Sequence, residues 1–192
     1  MDEKELVTIG MEVALKPITD IASDALGVAG GAWLHEQHIR VRRRLKARTA
    51  ELFNERKVDA PIEPSPSIII PLLSHAQEET RDELLDLWAR LLAAAMDPKR
   101  SFDYRRDYVD IVRRLEPKDT SILALLTDYN SQAIRTRPEL STQLDLRLEQ
   151  IEIASRNLLA LGLVTVPAGT FTVESGLLYR TALGSELIRL LR

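Results

Sequence analysis

Residues 83–98, ELLDLWARLLAAAMDP, constrain this 192-residue chain more than any other stretch. Leu84, Trp88, Leu91 and Ala95 recur at the helical period, and Leu85, Leu92 and Met96 widen the apolar stripe. That spacing predicts one buried helix. Asp97-Pro98 ends it, because the residue before a proline is driven out of the α region.

The rest of the chain is suited to covering such a helix with further helices. Hydrophobic residues make up 45% of it, while only 5% are aromatic and only 8 are glycine, which argues for helices over sheets. Absence of cysteine excludes disulfides, zinc-thiolate sites and thiol nucleophiles, and fits a reducing cytoplasm. The first ten residues, MDEKELVTIG, are acidic where a secretory signal is basic. The apolar run at 25–34 is far short of the ~18 residues a membrane span needs. A cytoplasmic protein is expected, with peripheral attachment to the inner membrane as the variant reading.

Charge is unevenly spread behind a net −3. Residues 1–34 carry −4, residues 35–57 carry +5, residues 58–116 carry −4, and residues 117–192 balance. One segment is therefore basic, and it coincides with a predicted helix from about Ala32 to Lys57. Arg40, Arg43 and Arg44 fall at i, i+3 and i+4, and Arg48 extends the row, so like charges crowd one ridge. Together with Arg42 and Lys46 these side chains are the candidate site for an anionic partner: nucleic acid, an anionic membrane surface or an acidic protein face. Glu51 and Glu55 offer partial neutralisation within the helix. Just before it, Gly27 and Gly31 form a small-residue stripe, and with Trp33 they are the candidate residues for helix packing or membrane contact.

Three prolines within 61–66 mark a linker. Ile68 to Leu73 reads as a short buried helix capped by Ser67, with Pro71 in its first turn. Further helices are predicted over Phe102–Leu115, from Pro117, and over Ser141–Leu161 with Gly162 as its stop. Val164-Thr165-Val166 and Phe171-Thr172-Val173 flank a Pro/Gly turn as a hairpin, Leu177–Thr181 is a further short strand, and Ala182–Leu191 closes the chain as an amphipathic helix. The fold class is thus mainly α. It comprises an N-terminal helical arm (1–57), a linker (58–66), a central helical bundle (67–116) and a winged-helix-like module with a short β-hairpin (117–192).

Several of these stretches together resemble the abortive-infection alpha family of bacterial phage-resistance proteins. They are the glycine-containing region 27–33 before the basic helix, Pro71-Leu72-Leu73, LWARLLA with Met96-Asp97-Pro98, YVDIVRRLEP at 108–117, and the terminal ALGLV and TALG signatures. The resemblance covers roughly Gly27 to Leu191. It implies antiviral defence in a bacterium and carries over no catalytic residues.

Motifs for chemistry are sparse. His35-Glu36-Gln37-His38 spaces its histidines by three, not the four of a zinc-binding HExxH helix. No histidine follows an arginine at the four-to-six-residue spacing of helical antiviral ribonucleases. Glycine-rich phosphate loops and nucleophile elbows are missing. Glu78, Glu79, Asp82, Glu83 and Asp86 open the central helix, where they suit its positive end and are expected on a solvated face. In the winged-helix-like module, Arg147, Glu149, Gln150, Glu152, Ser155, Arg156 and Asn157 would face a DNA groove. Two glutamates among them oppose phosphates. The expected protein is a non-enzymatic antiphage factor with neither cofactor nor metal. It acts as a homo-oligomer through contacts with an unknown host or phage protein, and nucleic-acid-binding regulation and membrane activity are the alternatives.

Overall fold

The computed structural model describes residues 32–127, 135–166 and 177–192, and among them the protein is mainly α-helical. Helices α1 (Ala32–Arg56), α2 (Pro66–Ala76), α3 (Asp82–Met96) and α4 (Asp107–Arg113) belong to one compact unit ending at Arg113. The remaining elements form a second, Arg114–Arg192.

In the first unit α3 is the centre, and α1, α2 and α4 each pack on it. Ten of its fifteen residues are buried, and from Leu91 to Met96 every one is. The apolar arc is wider than its sequence period implies, because Ala93 and Ala94 on the supposed outer side are also covered. Asp97 stops the helix in extended conformation at ψ 116, as the following proline demands. Its buried carboxylate accepts from the Lys99 amide at 2.8 Å and faces Arg100 Nε at 3.4 Å. After α1 the chain turns through Lys57 at φ 53, and the Ile62 amide donates to the Met96 carbonyl at 2.8 Å.

Two helix boundaries differ from expectation. α2 starts at Pro66 with Ser65 as its N-cap, so Pro71 lies inside the helix and not in its first turn. The stretch expected to be helical from Phe102 is a 3₁₀ turn at Ser101–Asp103 followed by α4. Tyr104 sits between them, its ring edge-on to Tyr108 at 6.1 Å.

The second unit runs α5 (Pro117–Thr127), β1 (Arg135–Thr136), α6 (Arg137–Leu144), α7 (Leu148–Ala160), β2 (Val164–Thr165), β3 (Leu177–Arg180) and α8 (Ala182–Leu191). The strands are ordered β1-β3-β2, all neighbours antiparallel, with Arg135 opposite Leu178 and Val164 opposite Arg180. Leu177–Arg180 is thus the strand that pairs with Val164–Thr165; Phe171–Val173 lie outside the described residues. The single helix read over 141–161 is two, broken at Asp145, which takes a left-handed φ of 51. Aspartate tolerates that region better than most residues. Ser141 secures the break, its Oγ donating to the Leu146 carbonyl at 2.6 Å while its own carbonyl accepts the Leu146 amide at 3.1 Å.

α7 ends in a Schellman motif: the Gly162 amide donates to the Leu159 carbonyl and the Leu163 amide to Leu158, both at 3.0 Å, with Gly162 at φ 70. Thr181 then caps α8, its Oγ1 accepting the Gly184 amide at 3.0 Å and donating to the Gly162 carbonyl at 2.6 Å. ALGLV and TALG are therefore two halves of one joint.

Candidate functional site: the arginine-rich face of α1

α1 buries Val41, Leu45, Thr49, Leu52 and Phe53 toward α3. Thr49 is polar yet fully covered, and its hydroxyl donates to the Leu45 carbonyl at 2.8 Å. Arginines flank this stripe, and α3 answers them. Arg44 pairs with Asp82, and Arg48 Nε donates to Asp86 at 2.6 Å. The two pairs are one helical turn apart on both helices, so α1 and α3 lie side by side in the same direction.

Arg48 is the most engaged cation. Besides Asp86 it reaches Glu51 at 2.9 Å and Glu55 at 3.1 Å, and these carboxylates, Asp86 first, hold its guanidinium above the ordinary arginine range. Asp86 also accepts from Arg90 Nε at 2.6 Å. Burial pushes the Asp86 carboxyl up, but hydrogen bonds from Arg90 and Arg48 outweigh it and leave the group below its ordinary value. Of the acids expected on a solvated face, Asp82 is exposed while Asp86 is half-buried, and both form the acidic half of an interhelical network with α1.

The remaining candidate cations are placed differently. Arg42 donates to Gln77 Oε1 at 3.1 Å, and Arg40 meets Glu36 at 3.4 Å with both side chains well exposed. Lys46 is half-buried. Arg43 is exposed and has no carboxylate partner among the described residues. Gly27 and Gly31 lie outside the described residues; Trp33 stands in the first turn of α1, but its side chain is likewise outside them.

A second cationic group escaped the sequence reading. Arg56, at the end of α1, is brought near Arg90 and Arg100 of the α3 segment. Burial first, then repulsion from Arg100 and Arg90, lowers its pKa to about 10 against the opposing pull of Asp97 and Glu55. Parallel helices place both negative ends at one pole, which draws cations there. Only the relative direction of α1 and α3 reveals this grouping; neither helix shows it alone.

The Asp86 network makes a pH prediction. A carboxyl held below its ordinary value of 3.8 stabilises the fold above that pH and loses its contribution as pH falls through the lowered value. Asp86→Asn is expected to cost about 1–2 kcal/mol at pH 7, discounted because the side chain is 34% exposed. At an acid pH below that lowered value, where the carboxyl is protonated in both folded and unfolded chains, the gap to wild type should close. Urea unfolding at the two pH values checks this, and an equal gap at both would refute the assignment.

In the second unit, α7 does not offer the set of side chains expected to read DNA. Ser155 is fully buried, and Asn157 Nδ2 donates to Asp119 at 2.6 Å and to the Arg114 carbonyl at 3.0 Å. Gln150 accepts the Arg147 amide at 3.2 Å. What α7 exposes is Leu148 at 51%, Ile153 at 70%, Glu149, and Arg156 paired with Glu152 at 2.7 Å.

His75 lies in the last turn of α2, 6.3 Å from the Trp88 ring, and His38 is half-buried on α1. Among the described residues no group of three or more histidine, aspartate or glutamate side chains could hold a metal ion. Nor is any helix among them long and apolar enough to cross a membrane. A family model described as abortive infection alpha matches residues 37–189, and the chain belongs to that family. No curated protein and no solved structure matches it.

Proposed function

We propose that this member of the abortive-infection alpha family is a cytoplasmic antiphage protein that works through protein–protein contacts, as a homo-oligomer and without catalysis. The observation that carries this is the internal use of the arginine ridge. Arg44 and Arg48 are spent on Asp82 and Asp86, so the face that would have neutralised phosphates is largely neutralised by its own protein. Affinity for nucleic acid grows with the number of phosphates neutralised, and a ridge already paired has few cations to offer. The element order α5-β1-α6-α7-β2-β3-α8 supports a winged-helix-like module. The α7 side chains it exposes, Leu148 and Ile153 beside Glu149 and an Arg156 already paired with Glu152, fit a protein surface better than a DNA groove.

Expression in a susceptible bacterium is expected to lower the plating efficiency of at least one phage in a panel, and the purified chain is expected to pass through DNA and RNA columns at physiological salt. Unchanged plating across the panel would remove the defence role. Salt-sensitive retention, abolished by Arg40/Arg43/Arg44→Glu, would put nucleic-acid binding in place of protein contact. Co-sedimentation with anionic vesicles, reduced by Trp33→Glu, would put membrane attachment there.

A further inference from the structure

Opposite the side that packs on α3, α1 presents Glu36, Arg40, Arg43, Ala47, Glu51 and Asn54, all exposed. Steps of three and four residues keep these positions on one face over about 27 Å of helix. After Glu36 at its start, charge is ordered along it: positive at Arg40 and Arg43, neutral and small at Ala47, negative at Glu51 with Glu55 beside it. Among the described residues Arg43, unlike Arg40 and Arg44, has no acidic partner. Its neighbours one turn away are Arg40, Lys46, Ile39 and Ala47, and none can neutralise it.

We propose that this face binds the same face of a second copy, with the two α1 helices antiparallel about a two-fold axis near Ala47. That arrangement sets Arg43 against Glu51 of the partner subunit, and Glu51 against Arg43 of the partner subunit, as a self-complementary interface requires. Arg40 meets the partner's Asn54 and the partner's Glu55. Ala47 stacks on Ala47 of the partner subunit, where a small side chain lets the helices approach closely. A parallel pairing would oppose Arg43 to Arg43 of the partner subunit, so charge selects the orientation. A polyanion fits less well, since the face carries as many carboxylates as guanidiniums: Glu36 and Glu51 against Arg40 and Arg43. One helix pair buries less than the roughly 800 Å² per partner of a standard interface, so the dimer should be concentration-dependent and weakened by salt.

The pairing deepens the protein-contact reading and rests on it, yet a different experiment can sink it. Sedimentation velocity of the full chain from about 1 to about 100 μM, a range bracketing micromolar affinity, should show wild type moving from monomer to dimer. Arg43→Glu and Glu51→Arg should each remain monomeric, and the doubly exchanged R43E/E51R should recover the dimer. Both positions are exposed, and Arg48 keeps Asp86 when Glu51 is replaced; unchanged helical circular dichroism excludes misfolding. A wild type that stays monomeric, an oligomer indifferent to the single changes, or an exchange that restores nothing would each overturn the proposal. So would a monomer whose binding to single-stranded oligonucleotide is lost on Arg43→Glu. A monomeric wild type that still restricts phage overturns this pairing alone and leaves the defence function standing.

Discussion

Replacing Gly184 with alanine is expected to destabilise the second unit by about 3 kcal/mol or more. A Cβ at that position would sit 2.1 Å from the Leu163 carbonyl oxygen and 3.0 Å from its carbon. The obstacle is backbone, so no side chain can swing aside. The same carbonyl accepts the Thr181 amide at 3.1 Å, so pushing it away also loosens the cap of α8. Leu163 is itself fully buried, and α8 brings Leu187, Ile188, Leu190 and Leu191 into the core. Gly162→Ala provides the contrast. There a Cβ would meet only Leu183 Cδ2 at 3.8 Å, and the cost is the left-handed φ of 70, about 1–2 kcal/mol. Urea unfolding of both variants measures the difference. If Gly184→Ala proves no worse than Gly162→Ala, the close approach of α8 to Leu163 is not rigid.

These two glycines show what the sequence discloses and what it withholds. Gly162 was legible as a helix stop, because a glycine after an apolar period is a recognisable C-terminal signal. Gly184 was visible only as part of a signature; its need for glycine arises from a carbonyl 21 residues earlier, and contact at that range leaves no periodic trace. The apolar stripes of α1, α3, α7 and α8 were readable for the opposite reason, since 3.6-residue spacing is local. Asp145 broke a helix that the leucine period carried straight through, because one residue in a left-handed conformation does not disturb apolar spacing. The candidate site fared likewise. Arg44 and Arg48 looked like an unanswered ridge and Asp82 and Asp86 like an ordinary acidic first turn. Each half is a normal solvated helix face, and they neutralise one another only because α1 and α3 run parallel, bringing together residues 38 positions apart in the sequence.

Trp88→Ala is the variant expected to damage the first unit most. Trp88 is 2% exposed at the middle of α3, with Leu84, Leu85, Leu91 and Leu92 buried around the same helix and His75 of α2 against its ring. Removing an indole from such a site loses its transfer free energy and leaves a cavity that packed helices close only in part, a loss of about 3–5 kcal/mol. Trp88→Phe keeps an aromatic ring in place and should cost about 1–2 kcal/mol. The location of the damage distinguishes this from a change in a peripheral layer. α3 is the surface on which α1, α2 and α4 all pack, so amide protection should fall along α1 and α3 together. The ion pairs Arg44–Asp82 and Arg48–Asp86 depend on the same alignment and cannot hold it alone, since exposed or half-exposed pairs contribute about 1 kcal/mol each or less. If Trp88→Ala lowers stability by under about 1 kcal/mol, or exposes α2 while α1 stays protected, then the arginine network and not the apolar core fixes α1 on α3.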